Sequence, residues 1–136
     1  MIKKNLPQFG RFLSVGMLNM LISLLVIYAC KGFFHAGDVA ANAIGYAAGL
    51  TTSFTLNSRW TFAHRGPQLP ALMKFLLVAA VAYGMNLLTV LVSINHLGVN
   101  GYIAQALGIP PYVLTSYLAS KFIVFRTPPE PHKKSP

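Results

Sequence analysis

The amino-acid sequence predicts an all-α membrane protein whose four transmembrane helices arise from a duplicated two-helix hairpin. Three observations lead to this fold class: long uncharged segments, basic residues confined to the ends of those segments, and an internal repeat. Residues 75–120 contain no Asp, Glu, Lys or Arg, and only a short polar break at residues 95–101 divides them. A soluble protein of this size needs charge on its surface, whereas about 20 apolar residues form a helix that spans a bilayer.

Four windows of 19 or 20 uncharged residues define the expected spans, which are residues 12–30, 39–58, 75–94 and 102–120. At about 1.5 Å per residue each helix reaches roughly 30 Å, the thickness of the hydrocarbon core. Together the spans form one transmembrane domain over residues 1–126. The polar, Pro-rich segment at residues 127–136 is expected to be a disordered cytoplasmic tail.

The first window also resembles a signal peptide, because Lys3 and Lys4 precede it and residues 27–30 loosely resemble a lipoprotein cleavage site. Its 19 residues exceed the usual signal core of about 7–15 residues. Tyr28 also fits a cleavage site poorly. A retained helix is therefore the expectation.

The distribution of basic residues predicts the orientation. In a four-span topology Lys31 is the one basic residue on the outer side, and the other ten lie on the opposite side: Lys3, Lys4, Arg11, Arg59, Arg65, Lys74, Lys121, Arg126, Lys133 and Lys134. By the positive-inside rule both termini and the central loop are cytoplasmic. The net charge of +9 would also suit nucleic acid, but such binding needs a basic face in water. We therefore expect no nucleic-acid partner.

An internal repeat relates residues 11–62 to residues 74–125 at a constant offset of 63 without a gap. Matching pairs occur at both ends and in the middle of the alignment: Phe12 and Phe75, Gly45 and Gly108, and Phe62 and Phe125. Each repeat holds two spans, so both repeats enter the membrane from the same side and the duplication is parallel. The alternative is chance similarity between apolar helices.

Polar side chains recur on the predicted spans: Asn19, Ser23, Ser53, Asn86, Gln105 and Ser116. They are costly when they face lipid, so we expect them to point into the bundle or toward another subunit. One interpretation is hydrogen bonding between helices, which contributes about 0.6 kcal/mol per bond. The other is a polar path for a hydrophilic headgroup. Gly45 and Gly49 form a GxxxG pattern, which favours close helix packing.

Catalytic and metal-binding patterns are missing from the sequence. No span holds an acidic, basic or His side chain well inside it, and the two acids, Asp38 and Glu130, lie in an outer loop and in the tail. A proton-coupled carrier normally needs such a group within the membrane. The single Cys30 excludes an intrachain disulfide, and no nucleophile–base pair or phosphate-binding loop occurs. We expect neither an enzyme nor a cofactor.

The second and fourth spans end in aromatic and basic residues on the predicted cytoplasmic side. Arg59 and Trp60 follow Asn57 at the end of the second span. One interpretation is an anchoring belt, because Trp favours the headgroup level and Arg side chains reach it from the membrane. The other is a phosphate site centred on Arg59, which can form two parallel hydrogen bonds with an oxyanion. Further charge would come from other span ends: Arg11, Lys74 and Lys121.

Residues 9–126 resemble the GtrA-like family of small four-helix membrane proteins. The resemblance is carried by residues 12–16 (Phe-Leu-Ser-Val-Gly) with Asn19, by residues 54–62 (Phe-Thr-Leu-Asn-Ser-Arg-Trp-Thr-Phe), and by Lys74-Phe75 with residues 120–125. In the second half, Ser120 and Phe122-Ile123 stand where the first half has Asn57 and Arg59-Trp60.

The resemblance implies a bacterial inner-membrane protein of cell-surface polysaccharide or O-antigen modification. Members of this family are thought to flip a polyprenyl-phosphate-linked sugar, typically undecaprenyl-phosphate glucose, to the outer leaflet beside membrane glycosyltransferases. The resemblance further implies that Asn57, Arg59 and Trp60 hold the phosphosugar. Membrane lipids surround the spans. Because four spans enclose little volume, we also expect a homo-oligomer. The alternative is a non-transporting adaptor that recruits or stabilises a polyprenyl-phosphate glycosyltransferase.

Overall fold

The computed structural model describes residues 2–126, with side chains from Asn5 onward. Over this range the chain forms four α-helices and two π-helical segments, and it contains no β-strand. The helices are α1 (Ile2–Phe34), α2 (Asp38–Leu56), α3 (Gln68–Asn95) and α4 (Gly101–Ala119). The first π segment (Asn57–Thr61) continues α2, and the second π segment (Ser120–Val124) continues α4. The predicted all-α class is confirmed, while the tail predicted to be disordered lies outside the described residues.

Two compact units divide the chain, Met1–Ala63 and His64–Pro136. In the first unit α1 packs against α2 and the first π segment, and in the second unit α3 packs against α4 and the second π segment. We call these units the first and the second hairpin. Both α4 and the second π segment begin and end 63 residues after their counterparts in the first hairpin. This spacing equals the offset of the sequence repeat.

Short connections with defined backbone conformations join the helices of each hairpin. In the first hairpin Lys31 and Asp38 form an ion pair of 2.5 Å across the turn, and His35 adopts a positive φ of 50°. In the second hairpin Gly98 has a φ of 62°, which glycine adopts without strain. The Asn100 side chain then caps α4 by accepting a hydrogen bond of 2.7 Å from the Tyr102 backbone N–H, as N-cap residues do.

Small residues allow α2 to lie close to α1. Ala41, Gly45, Gly49 and Ser53 form the buried face of α2, and the predicted GxxxG pattern therefore lies at a helix–helix contact inside the first hairpin. A Cβ on Gly45 would lie 2.9 Å from the Ser23 carbonyl oxygen and would overlap Ile27. In the second hairpin a Cβ on Gly108 would meet the side chains of Asn86 and Val90. The contact at Gly45 therefore requires glycine because it meets backbone, whereas at Gly108 side chains of α3 fill the space.

Two helices of the described chain are long and apolar enough to cross a membrane, and they lie at Asn5–Phe34 within α1 and at Gln68–Asn95. Only 6% and 22% of their most apolar windows are buried inside the structure. The core helix of a soluble protein would be mostly buried, so these exposed apolar surfaces suit a lipid environment. For α2 and α4, each 19 residues long, a transmembrane position stays a prediction.

Replacing Gly45 by Leu should destabilise the first hairpin, because the side chain has no space between α2 and α1. Overpacking of this kind costs about 1–3 kcal/mol. The thermal unfolding temperature of the detergent-purified protein measures the effect. Gly16→Leu is the matched control, since a Cβ on Gly16 meets no atom within 4 Å. Equal unfolding temperatures for the two variants would contradict the close contact described above.

Candidate functional site

The first π segment ends the second helix of the first hairpin with buried polar residues. The Phe62 backbone N–H donates a hydrogen bond of 2.9 Å to the Asn57 carbonyl oxygen, five residues earlier, which is the π-helical spacing. Asn57, Ser58 and Thr61 are buried. Short π-helical turns inside or after α-helices are frequent at functional sites, so this segment is the first candidate.

Two side chains of α1 bind the carbonyl groups at the end of this segment. Gln8 Nε2 donates to the Thr61 carbonyl oxygen at 3.3 Å, and Arg11 Nη1 donates to the Trp60 carbonyl oxygen at 3.4 Å. The last carbonyl groups of a helix have no partner within the helix, so these bonds stabilise its end. The Arg11 guanidinium also lies 5.5 Å from the centre of the Trp60 ring, within cation–π range.

Arg59 differs from Arg11 because it is exposed. Within residues 5–126 no hydrogen bond or ion pair joins its guanidinium to another side chain. Trp60 beside it is 48% exposed, so a cation and an aromatic ring face outward at neighbouring positions. A guanidinium in this state is free to form two parallel hydrogen bonds with a phosphate.

Asn57 lies one turn before these exposed groups and is 2% exposed. Its Nδ2 donates to Ser53 Oγ at 3.2 Å, whereas its Oδ1 has no hydrogen-bond partner among the described residues. Thr61 Oγ1 is buried without a partner in the same part of the structure. Unpaired buried polar atoms need an explanation, and here an ordered water or a ligand group would complete the hydrogen bonding.

The second π segment repeats this backbone geometry with different side chains. The Phe125 backbone N–H donates to the Ser120 carbonyl oxygen at 2.9 Å, and Ser120 Oγ is buried with no partner among residues 5–126. The Lys121 ammonium lies 5.7 Å from the Tyr117 ring and 5.6 Å from the Phe122 ring. Lys121 is therefore held against aromatic faces.

A groove of about 620 Å³ opens between the start of α3 and the second π segment. Its lining residues are His64, Gly66, Pro67, Pro70, Ala71, Lys74, Phe122, Ile123, Val124 and Arg126. Lys74 and Arg126 are exposed cations. The His64 ring packs 5.5 Å from the Phe125 ring, and its Nε2 has no hydrogen-bond partner within the described chain. The groove thus combines basic groups with apolar walls.

The family model described as the GtrA/DPMS transmembrane domain matches residues 11–125. The chain belongs to this family. The matched range begins at Arg11 and ends at Phe125, so it contains α1 from Arg11 onward, the other three helices and both π segments. The GtrA-like resemblance read from the sequence is therefore confirmed.

Bactoprenol-linked glucose translocases of phage and prophage origin resemble the chain over nearly their whole length. A bactoprenol-linked glucose translocase of Shigella phage SfV is 29% identical over 131 residues, which cover 89% of this chain and 97% of the relative. A prophage bactoprenol-linked glucose translocase homolog of Escherichia coli K12 is 27% identical over 131 residues, which again cover 89% of this chain and 97% of the relative. An uncharacterized membrane protein of Bacillus subtilis, YngA, is 30% identical over 88 residues, or 64% of this chain and 59% of the relative.

Within this GtrA/DPMS chain, the residues predicted to bind a phosphosugar have different surroundings. Arg11 and Trp60 are in contact, Asn57 is buried and Arg59 is exposed, all in the first hairpin. Lys74 and Lys121 belong to the second hairpin, where Lys74 lines the groove and Lys121 lies against aromatic rings. Arg59 and Lys74 are the two predicted cations that no described side chain engages.

Most of the predicted polar residues lie at the helix–helix contact of their own hairpin. Asn19 and Ser23 pack against Gly49, and Ser53 bonds to Asn57. In the second hairpin Asn86 packs against Gly108 and Ser116 is buried. Gln105 is exposed near the start of α4, beside Asn100 and Tyr102. The first hairpin thus has three of the predicted polar residues at its helix–helix contact, and the second hairpin has two.

Sequence reasoning missed the two π segments and the groove residues His64 and Arg126. The matching Phe62 and Phe125 mark the ends of the two π segments, but side-chain identity does not reveal a change in backbone hydrogen bonding. Gly66 and Pro67 before α3 are a turn signal in the sequence. The groove itself, however, arises only because α3 packs against the second π segment.

Removing the Arg11 side chain should make Trp60 more accessible to a soluble quencher. Trp60 is the single tryptophan of the chain, so fluorescence quenching by acrylamide reports on this ring alone. In Arg11→Ala the quenching constant should rise, and the free energy of unfolding should fall by about 0.5–1 kcal/mol. Arg65→Ala removes one charge outside this contact and should change neither value. Identical quenching in Arg11→Ala and the unmodified protein would refute the stacking role.

Proposed function

We propose that this protein translocates a polyprenyl-phosphate-linked monosaccharide, undecaprenyl-phosphate glucose or a close relative of it, across the bacterial inner membrane. The observation that carries this proposal is the similarity to bactoprenol-linked glucose translocases over 97% of their length. Bactoprenol is a polyprenyl lipid, so the relatives' names point to the same substrate class. The role would lie in cell-surface polysaccharide modification.

The exposed groups of the first hairpin suit the polar end of such a lipid. Arg59 is exposed and can bind the phosphate, Trp60 is about half exposed beside it, and Asn57 Oδ1 is a buried acceptor without a partner, which a local opening would offer to a sugar hydroxyl. Sugar rings pack well on aromatic faces because their C–H groups are apolar. We assign the phosphosugar end to these three residues, with Arg11 fixing the position of Trp60.

The polar groups between the helices would support the headgroup while the polyprenyl tail stays in lipid. Asn19, Ser23 and Ser53 lie along the α1–α2 contact, and Asn86 and Ser116 lie within the second hairpin. Each could exchange its present contact for a sugar hydroxyl. With no acidic group inside a predicted span, transport would follow the lipid's own concentration gradient.

We further propose a parallel duplication with both termini in the cytoplasm. The 63-residue spacing of α4 and of the second π segment from their counterparts supports the duplication, and the ten-to-one distribution of basic residues supports the orientation. A homo-oligomer and a membrane glycosyltransferase partner belong to the same proposal. The adaptor function is the outcome that remains if the purified protein binds the lipid-linked sugar and does not move it.

Arg59→Ala should slow translocation in liposomes that contain a polyprenyl-phosphate glucose. A charge-assisted hydrogen bond contributes about 1.5–3 kcal/mol, so the rate should fall roughly tenfold to a hundredfold. The rate is measured by the exposure of the lipid-linked sugar to a membrane-impermeant reagent. Arg59→Lys should retain part of the rate, and Arg65→Ala is the charge-matched control. An unchanged rate in Arg59→Ala would remove Arg59 from the mechanism.

The orientation has its own test in intact cells. In a Cys30→Ser background, Leu97→Cys should react with a membrane-impermeant maleimide added from outside, because residue 97 lies in an outer loop of the proposed topology. Arg65→Cys should react only after the inner membrane is opened, because residue 65 lies in the central loop. Both positions are exposed, so burial does not confound the comparison. The reverse labelling pattern would overturn the proposed orientation.

A further inference from the structure

The two hairpins differ where the first helix of each, α1 or α3, packs against the π segment of the same hairpin. In the first hairpin Gln8 and Arg11 donate hydrogen bonds to the Thr61 and Trp60 carbonyl oxygens. The offset of 63 relates these four residues to Ala71, Lys74, Val124 and Ile123 of the second hairpin. All four of these line the groove. Side chains thus fill this place in the first hairpin, and an opening occupies it in the second.

The substitutions between the two halves explain the opening. Ala71 is 3% exposed and stands where the first hairpin has the long side chain of Gln8, so it leaves room beside the π segment. Ile123 stands where the first hairpin has Trp60, and an aliphatic side chain offers no aromatic face to a cation. Lys74 therefore lacks the stacking partner that Arg11 has. No contact with another side chain of residues 5–126 engages its ammonium group.

A second cation and apolar walls complete the groove. Arg126 lines it together with Lys74, and both are exposed. Phe122 and Ile123 are 60% and 57% exposed, and they form apolar walls with Pro67 and Pro70. A volume of about 620 Å³ lies within the usual range for small-molecule sites. With two cations and no acidic lining residue, the groove is complementary to an anion that carries an apolar chain.

We propose that this groove binds the phosphate of an isoprenoid lipid phosphate, with Lys74 and Arg126 on the phosphate oxygens and the first isoprene units against Pro70, Phe122 and Ile123. Arg126 forms two parallel hydrogen bonds with the phosphate, and Lys74 contributes a point charge. The His64 ring lines the same groove, and its Nε2 is buried without a partner within the described chain. This inference rests on the proposed function for its ligand class, and it adds a second phosphate site on the half of the chain that lacks the Asn-x-Arg-Trp segment.

Binding by the full-length detergent-purified protein tests the site. The probe is a short-chain, water-soluble prenyl-phosphate glucose, and isothermal titration calorimetry gives its dissociation constant. Because two charge-assisted contacts are lost, Lys74→Ala combined with Arg126→Ala should weaken binding by at least about tenfold. Arg65→Ala removes a cation next to the groove-lining residues His64 and Gly66 and should bind as the unmodified protein does.

A second variant keeps both charges and closes the groove. Ile123→Trp places at this position the residue that covers Arg11 in the first hairpin, so the indole should stack on Lys74 and weaken probe binding. Ile123 is exposed, so this change should not disturb folding even if the double charge variant is unstable. Unchanged binding in Ile123→Trp and in the folded double variant would overturn the site. Equal loss in Arg65→Ala would also overturn it, because general surface charge would then explain binding.

Competition separates the possible sources of the phosphate group. Inorganic phosphate should compete poorly because it lacks the apolar chain, and so should phosphatidylglycerol because its two acyl chains do not match a single-chain groove. Equal competition by inorganic phosphate would replace the lipid assignment with a free-phosphate site. No probe binding at all in the unmodified protein would overturn the inference.

Translocation in liposomes distinguishes failure of this inference from failure of the proposed function. If the unmodified protein binds the probe through Lys74 and Arg126 without moving the lipid between leaflets, the groove assignment stands and the translocase proposal fails. If the double variant binds the probe and moves the lipid as the unmodified protein does, the groove assignment fails and the translocase proposal stands.

Discussion

Close contact between helices at glycine determines which faces meet within each hairpin. Where Gly45 and Gly49 face α1, and where Gly108 faces α3, the second helix has no side chain to hold the backbones apart. In a bilayer, lipid tails are as apolar as helix surfaces, so van der Waals packing and interhelical hydrogen bonds decide which faces meet. Small residues favour both kinds of interaction, because they let polar side chains such as Asn19 and Asn86 lie directly against the glycines of the opposing helix.

The glycine contact also positions the first π segment against the start of α1. With α2 held against α1, the first π segment lies within reach of Gln8 and Arg11, which bind its last carbonyl groups. The wider π turn leaves Asn57 and Thr61 buried with unused hydrogen-bonding atoms. The same backbone geometry recurs at Ser120. A change at Gly45 would therefore act on the polar end of the hairpin as well as on its middle.

The sequence predicted the helix content because it leaves a direct signal: absence of charge over 46 residues (75–120) requires a lipid-facing or buried helix. The duplication stays a prediction, which rests on Phe and Gly residues that match at a constant offset of 63. The role of Arg11 could not be predicted, since its partner Trp60 is 49 positions away and only the packing of α1 on the π segment brings them together. Gln105 shares a helical period with Ser116, yet it lies near the start of α4, where the face is exposed.

Under the proposed function, the difference between the two hairpins bears on which part of a lipid-linked sugar each hairpin would bind. In the first hairpin Arg11 is stacked on Trp60, whereas no described side chain engages Arg59. In the second, Lys74 and Arg126 share an open groove with apolar walls. A lipid phosphate would thus meet one exposed guanidinium beside an aromatic face in one half and a two-cation groove in the other. One exposed guanidinium beside an aromatic face suits a phosphate next to a sugar ring, and a two-cation groove with apolar walls suits a phosphate next to an apolar chain, so the two hairpins would recognise different parts of one class of lipid.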